Sequence, residues 1–255
     1  MRRVAIVTGA SRGIGLAISK AFLKKGISVI GVAKSHKTLV KVQIELVEEY
    51  DQRAFIACTA DITKSEGIDS IVQCLETNKM ELCALVNNAA VVEPFAKIAD
   101  IDIDEWRHSI EVNVTSVIAL TQRLIPALRK SKGCVVNVSS DAASYAFHGL
   151  STYCVSKAAL NMVTKSIAVE EPEIVALAIG PGDVDTDMQD VIRNSGKQAM
   201  SHADYAMLKG LHETGSLLPA EKPAHVIVTL ALKAPKKITG EYHSWDSPEI
   251  AKYIE

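Results

Sequence analysis

The chain of 255 residues carries 28 Lys and Arg against 30 Asp and Glu, a formal charge of −2. With 48% apolar and 23% charged residues it has the composition of a folded domain, which excludes disorder, and it has no basic excess or basic run of the kind that phosphate-driven nucleic-acid binding needs. No stretch approaches the ~18 consecutive apolar residues of a membrane-spanning helix, and the short apolar run after Met1-Arg2-Arg3 falls below the roughly 7–15 residues of a secretory h-region.

Taken in chain order, Val- and Ile-rich runs predict strands at 4–7, 27–33, 54–58, 82–86, 134–138, 174–179 and 238–242. Most lack in–out alternation, as strands buried on both faces do. Helical patterns fall between them, near 14–25, 37–50, 65–78, 104–129, 151–170 and 220–233. In the first, Ile14, Ala17, Ile18, Ala21 and Phe22 mark one face at helical spacing. The alternation predicts right-handed crossovers and an α/β fold: a doubly wound, Rossmann-type parallel sheet of about seven strands with helices on both faces. No repeat, low-complexity linker or Pro/Gly-rich hinge divides the chain, so 1–255 reads as one domain. The polar, Gly- and Met-containing stretch at about 180–215 breaks the rhythm just past a strand end, and it is the candidate substrate lid.

Cys58, Cys74, Cys83, Cys134 and Cys154 form no C-x-x-C pair and mostly fall in apolar segments, which fits a reducing compartment and a cytoplasmic protein. The sequons at Asn113 and Asn137 lie in regular apolar segments and read as chance. The histidines are scattered without H-E-x-x-H, so no metal is expected.

The first strand runs into Thr8-Gly9-Ala10-Ser11-Arg12-Gly13-Ile14-Gly15 and then a helix. Glycines in that context let the backbone turn tightly and approach a pyrophosphate at a helix N-terminus. The spacing is G-x-x-x-G-x-G, neither G-x-G-x-x-G nor a Walker loop. NAD enzymes usually end the second strand on an acid that holds the ribose hydroxyls. Here that place reads Ala33-Lys34-Ser35, and Arg12 lies in the glycine turn. Two cations and a hydroxyl near the adenosine ribose favour a 2′-phosphate, hence NADP(H).

Tyr153 and Lys157 stand four residues apart at the start of a helical pattern and so share a face. Free tyrosine has a pKa of about 10, and a neighbouring cation lowers it, which suits a phenol to proton exchange with a carbonyl or alcohol. Other polar groups cluster just past strands: Asp61 after the third, Asn87-Asn88-Ala89-Ala90 at the fourth, Ser140 after the fifth, and Gly180-Pro181-Gly182 at the sixth.

These motifs, together with Asn113, resemble the short-chain dehydrogenase/reductase family in order and spacing over essentially the whole chain. The resemblance implies a catalytic set of Ser140, Tyr153, Lys157 and Asn113. Ser140 would hydrogen-bond the substrate carbonyl, and the family's thirteen-residue spacing to Tyr153 selects it over Ser139. Tyr153 would be the acid/base. Lys157 would hold the nicotinamide ribose and lower the phenol's pKa, and Asn113 would hold a water in a proton relay. The cofactor would be lined by Gly9, Ser11, Arg12, Gly13, Ile14 and Gly15 of the turn, by Lys34, Ser35, Asp61 and Ile62 at the adenosine end, and by Asn88, Ala89, Tyr153, Lys157, Pro181, Gly182, Val184 and Thr186 toward the nicotinamide. Ala90 departs from the family's usual Gly.

Ser139-Ser140-Asp141-Ala142, the 181–189 segment and 240–246 further resemble fungal benzil reductases and sepiapterin reductases. That resemblance implies reduction of a small-molecule ketone, an α-diketone or sepiapterin-like carbonyl. Met188, Trp245 and Asp246 join Ser140 as substrate residues, with a surface-loop role for Asp246 equally open. Alternatives are a 3-oxoacyl, steroid or sugar dehydrogenase of the same family, and an NADP-sensing protein without catalysis. A dehydratase or epimerase would need more chain, and Gly149-Leu150-Ser151-Thr152-Tyr153 lacks the last Gly of a hydrolase elbow. The helices at 104–129 and 151–170 are apolar on more than one side, which predicts a homodimer or homotetramer.

Overall fold

Hydrophobic runs and parallel strands coincide. The computed structural model describes residues 2–51 and 54–254, so the ends of the expected domain, Met1 and Glu255, lie outside the described residues. Its strands are β1 (Arg3–Thr8), β2 (Ser28–Ala33), β3 (Phe55–Thr59), β4 (Glu81–Asn87), β5 (Cys134–Val138), β6 (Val175–Gly180) and β7 (Tyr242–Ser244). They form one parallel sheet in the order β3-β2-β1-β4-β5-β6-β7. The order reverses between β1 and β4, where open α/β sheets present a ligand crevice at their C-terminal edge.

Successive residues of each strand serve opposite cores. Ala5 and Val7 pack with Ile18 and Phe22 of α1 (Gly13–Lys24), Leu39 and Leu46 of α2 (His36–Glu49) and the helix at Glu221–Lys233. Val4 and Ile6 pack with Ile68 and Ile71 of α3 (Ser65–Thr77) and with the two long helices that follow β4 and β5. This is the doubly wound, Rossmann-like single domain that the β-α alternation predicts.

Three regions differ from the sequence reading. The helix expected at 104–129 is two, α4 (Ile103–Ile110) and α5 (Ser116–Ser131), joined by a π-helical turn at Glu111–Thr115. An inserted residue of this kind often marks a functional site. After α6 (Ser151–Glu170), the 180–215 stretch is largely helical, with α7 (Asp187–Ser195) and α8 (His202–Glu213). Beyond α9 (Glu221–Lys233), the strand expected at 238–242 begins only at Tyr242, because Ile238 is buried in a 3₁₀ turn and Gly240, at φ +84°, breaks the extended chain. A short α10 (Pro248–Ile254) follows. No helix among the described residues is long and apolar enough to cross a membrane.

Candidate active site

At the sheet's C-terminal edge, the glycine turn is built for a close backbone approach. Gly9 and Gly13 have φ of +67° and +52°, a region costly for side-chain-bearing residues, and a Cβ on Gly15 would collide with the Gly9 carbonyl. The N-terminus of α1 has no side-chain cap, which leaves its first N–H groups for an anion. Asn88 braces this turn: its Nδ2 donates to the Thr8 carbonyl at 2.9 Å, while Thr8 Oγ1 accepts from the N–H groups of Asn88 and Ala89, each at 3.0 Å. Ile14 packs partly buried on the core beneath, and Ser11 is half-buried. The turn therefore fits a dinucleotide pyrophosphate.

The cations expected at the adenosine end are held in ion pairs. Lys34 Nζ lies 3.0 Å from Asp61 Oδ2, and Arg12 Nη1 lies 2.8 Å from Asp187 Oδ2. Burial alone would raise the Asp61 carboxyl, but hydrogen bonds from Thr63 and the Lys34 ammonium hold it down at about 2. Ser35 caps α2 through Thr38, and Ile62 is buried. No acid stands at the end of β2.

Ser140, Tyr153 and Lys157 meet where β5 and α6 converge. Ser140 leaves β5 extended, its hydroxyl accepts from Ala142 N at 3.1 Å, and it acts on the Tyr153 phenol in the direction that lowers its pKa. The adjacent Ser139 is buried, with its hydroxyl donating to Asn161 Oδ1 at 2.6 Å, so the structure brings Ser140, not Ser139, to the phenol. Lys157 is 3% exposed. Its Nζ donates to the Val138 carbonyl at 2.7 Å and lies 5.4 Å from the centre of the Tyr153 ring.

The expectation that Lys157 lowers the Tyr153 pKa is corrected here. Burial pushes the phenol up to about 12, against the Ser140 hydrogen bond and with Cys154 and Asp183 adding to the rise. The same burial brings Lys157 down to about 8. Desolvation favours the uncharged form of both groups, and the ammonium is bonded to a carbonyl rather than to the phenol.

Asn113 sits in the π turn, 1% exposed, and its amide is fully engaged: Oδ1 accepts from Val91 N at 2.9 Å, and Nδ2 donates to the Val91 carbonyl at 2.8 Å and to Ser156 Oγ at 3.1 Å. It clamps the loop after β4 to α6, and a water at this residue would have to meet its main chain. Asn137 is likewise buried, accepting from Asn87 and donating to Thr164, each at 2.8 Å. Neither sequon is accessible in the fold. The Asn87–Asn137 link, which sequence reasoning missed, ties β4 to β5 beneath the site.

On the substrate side, Tyr153 and Met188 belong to an apolar cluster with Val92, Phe95, Phe147 and Ile192, shared by α6, α7 and α8. Val184 is buried and bridges to Leu218, Pro181 is buried, and Thr186 packs on Gly13, so the start of α7 abuts the glycine turn. Trp245 and Asp246 follow β7, with Trp245 against Gly182. They line a cavity of about 620 Å³ with Glu221, His225 and Ile254, and a Cβ at Gly182 would lie 2.8 Å from Trp245 Nε1. None of Ser140, Tyr153 and Lys157 lines that cavity.

The short chain dehydrogenase family model matches residues 3–197. The chain belongs to this family. It is 38% identical over 258 residues to an uncharacterized oxidoreductase of Saccharomyces cerevisiae, covering 100% of both chains. It is 35% identical to a benzil reductase ((S)-benzoin forming) of the same yeast, covering 98% of each. To a sepiapterin reductase of Bos taurus it is 32% identical, over 76% of this chain and 77% of that one. A crystal structure of a yeast short chain dehydrogenase/reductase superposes with a TM-score of 0.93 at 36% identity, covering 100% of both chains. The chain is thus an oxidoreductase of a family that uses NAD(P)H.

Proposed function

We propose that the chain is an NADPH-dependent carbonyl reductase acting on an apolar α-diketone of the benzil type, with sepiapterin-like carbonyls as the related class. The observation that carries this reading is the convergence of Ser140, Tyr153 and Lys157 beside an apolar cluster that holds Tyr153 with Met188 and Phe95. An ordinary phenol is already protonated throughout the neutral range and can donate to a carbonyl oxygen as it gains charge, and the hydrophobic wall accommodates aromatic rings. The similarity to a benzil reductase supports the substrate class.

When bound, the reduced nicotinamide supplies a hydride to the carbonyl carbon. Ser140 hydrogen-bonds the carbonyl oxygen, and Tyr153 gives its proton to that oxygen. Lys157, next to the phenol, would hold the ribose, while Gly9, Gly13 and Gly15 would admit the pyrophosphate to the N-terminus of α1. Arg12 and Lys34, now paired with carboxylates, would hold the 2′-phosphate, and the absence of an acid after β2 supports NADPH over NADH.

Ile118 on α5 and Val155, Met162 and Val169 on α6 are exposed large apolar residues, the last three at seven-residue spacing. This face supports assembly of two or four copies. The five free cysteines support a reducing, cytoplasmic setting. Oxidation of NADPH in the presence of benzil, followed by the loss of reduced-cofactor absorbance, tests the reading.

A further inference from the structure

Ser140 is held from two sides. On one, Ser139 is fixed to the sheet, its N–H donating to the Ile179 carbonyl at 2.8 Å and its hydroxyl to Asn161. On the other, Asp141 opens a 3₁₀ turn, and its carboxylate Oδ1 accepts a short hydrogen bond from the Tyr242 hydroxyl, 101 residues away on β7. Tyr242 reaches Asp141 by passing over Gly180 at the end of β6, where any Cβ would collide with its hydroxyl. Among the described residues no other side chain hydrogen-bonds the Asp141 carboxylate, so this contact alone ties it down.

We propose that Tyr242 is a positioning residue: lying over Gly180, it anchors Asp141 and thereby fixes the backbone that presents the Ser140 hydroxyl to Tyr153. The inference rests on Ser140 and Tyr153 acting as proposed above. It assigns β7, the three-residue edge strand, a function in the site besides closing the sheet, and it explains why β6 ends on glycine. Reaction geometry is sensitive to displacements of about 1 Å, so loosening one of two anchors lowers turnover without removing any group that touches substrate.

The test compares Tyr242→Phe, Asp141→Ala, Asp141→Asn and the Tyr242→Phe/Asp141→Ala double variant with the wild type in benzil reduction, after NADPH fluorescence and circular dichroism establish that each is folded and binds cofactor. Tyr242→Phe and Asp141→Ala each lower kcat by about tenfold or more, with KM for ketone and NADPH held within about twofold. Asp141→Asn, whose amide oxygen still accepts from the phenol, keeps most of the activity. The double variant falls no further than either single one, because both break one link. Gly180→Ala, which displaces the Tyr242 hydroxyl, behaves like Tyr242→Phe. An active wild type whose Tyr242→Phe variant keeps full kcat, or a double variant at the product of the two single losses, overturns the positioning role alone. A wild type that reduces no carbonyl compound overturns the functional reading and this inference with it.

Discussion

Arg12, inside the glycine turn, is ion-paired at 2.8 Å with Asp187, the first residue of α7 and 175 residues further along the chain. The cation proposed to meet the cofactor's 2′-phosphate therefore also links the turn to the start of α7. Exposed pairs of this kind are weak, so a phosphate competes with the carboxylate readily. Asp187→Asn should tighten NADPH binding by about twofold to fivefold and leave NADH binding unchanged. Arg12→Ala should weaken NADPH about tenfold or more, again sparing NADH. Titrations of cofactor fluorescence read both, and an unchanged NADPH-to-NADH ratio in the two variants would show that the 2′-phosphate does not meet Arg12.

Lys157 makes a prediction about stability. Its pKa of about 8 in the fold lies below the ~10.4 of an unfolded lysine. Below pH 8 both states hold the proton, and the native state bears the full cost of a buried ammonium. Between about pH 8 and 10.4 the native state releases the proton while the unfolded chain keeps it, so native stability rises with pH. Lys157→Met should be inactive, yet more stable than wild type at pH 7 by about 2 kcal/mol, after allowing for the Val138 carbonyl it leaves unbonded. The advantage should vanish at about pH 9.5 and reverse by about pH 10.4, where only the lost Val138 bond separates the two proteins. Thermal melts across pH 6–10 check this; a variant less stable than wild type at pH 7 would mean that the Val138 bond and the Tyr153 contact outweigh burial.

Gly15 offers a cleaner test of the cofactor cradle. A Cβ there meets the Gly9 carbonyl and Asn88 Nδ2, the groups that shape the turn. Gly15→Ala should weaken NADPH and NADH equally, by about tenfold or more, since the backbone rather than any cation is disturbed. Selective loss of NADPH alone would contradict that assignment, as would full binding of both.

The exposed stripe on α6 predicts self-association. Met162→Glu, at a residue 60% exposed, should convert the assembly to monomers by light scattering without lowering thermal stability of the single fold by more than about 0.5 kcal/mol. A wild type that scatters as a monomer at micromolar concentration would remove the basis for assembly through this face.

How much of this was legible in the sequence depended on the range of the signal. β1, β4 and β5 are continuous apolar runs, and the Thr8–Gly15 turn and Tyr153-x-x-x-Lys157 are local patterns, so each announces itself. The π turn at Asn113 does not, because the segments on either side each read as helix and a single wide turn between them has no residue signature of its own. β7 was displaced by several residues because a three-residue edge strand with half-buried Tyr242 and Ser244 has no alternation to read. The Arg12–Asp187, Lys34–Asp61 and Tyr242–Asp141 links join residues far apart in the chain, and no spacing rule predicts them. The expected lowering of the Tyr153 pKa failed for the same reason: sequence gives the Tyr–Lys spacing but not the burial that moves both groups toward neutrality.

The most direct test of the account is turnover of NADPH with benzil by wild type and by Tyr153→Phe, alongside NADPH binding by both. The account predicts steady oxidation of NADPH by the wild type, a loss of at least about a thousandfold in kcat for the variant, and cofactor affinity within about twofold between them. A Tyr153→Phe enzyme that turns over at near wild-type rate would contradict it.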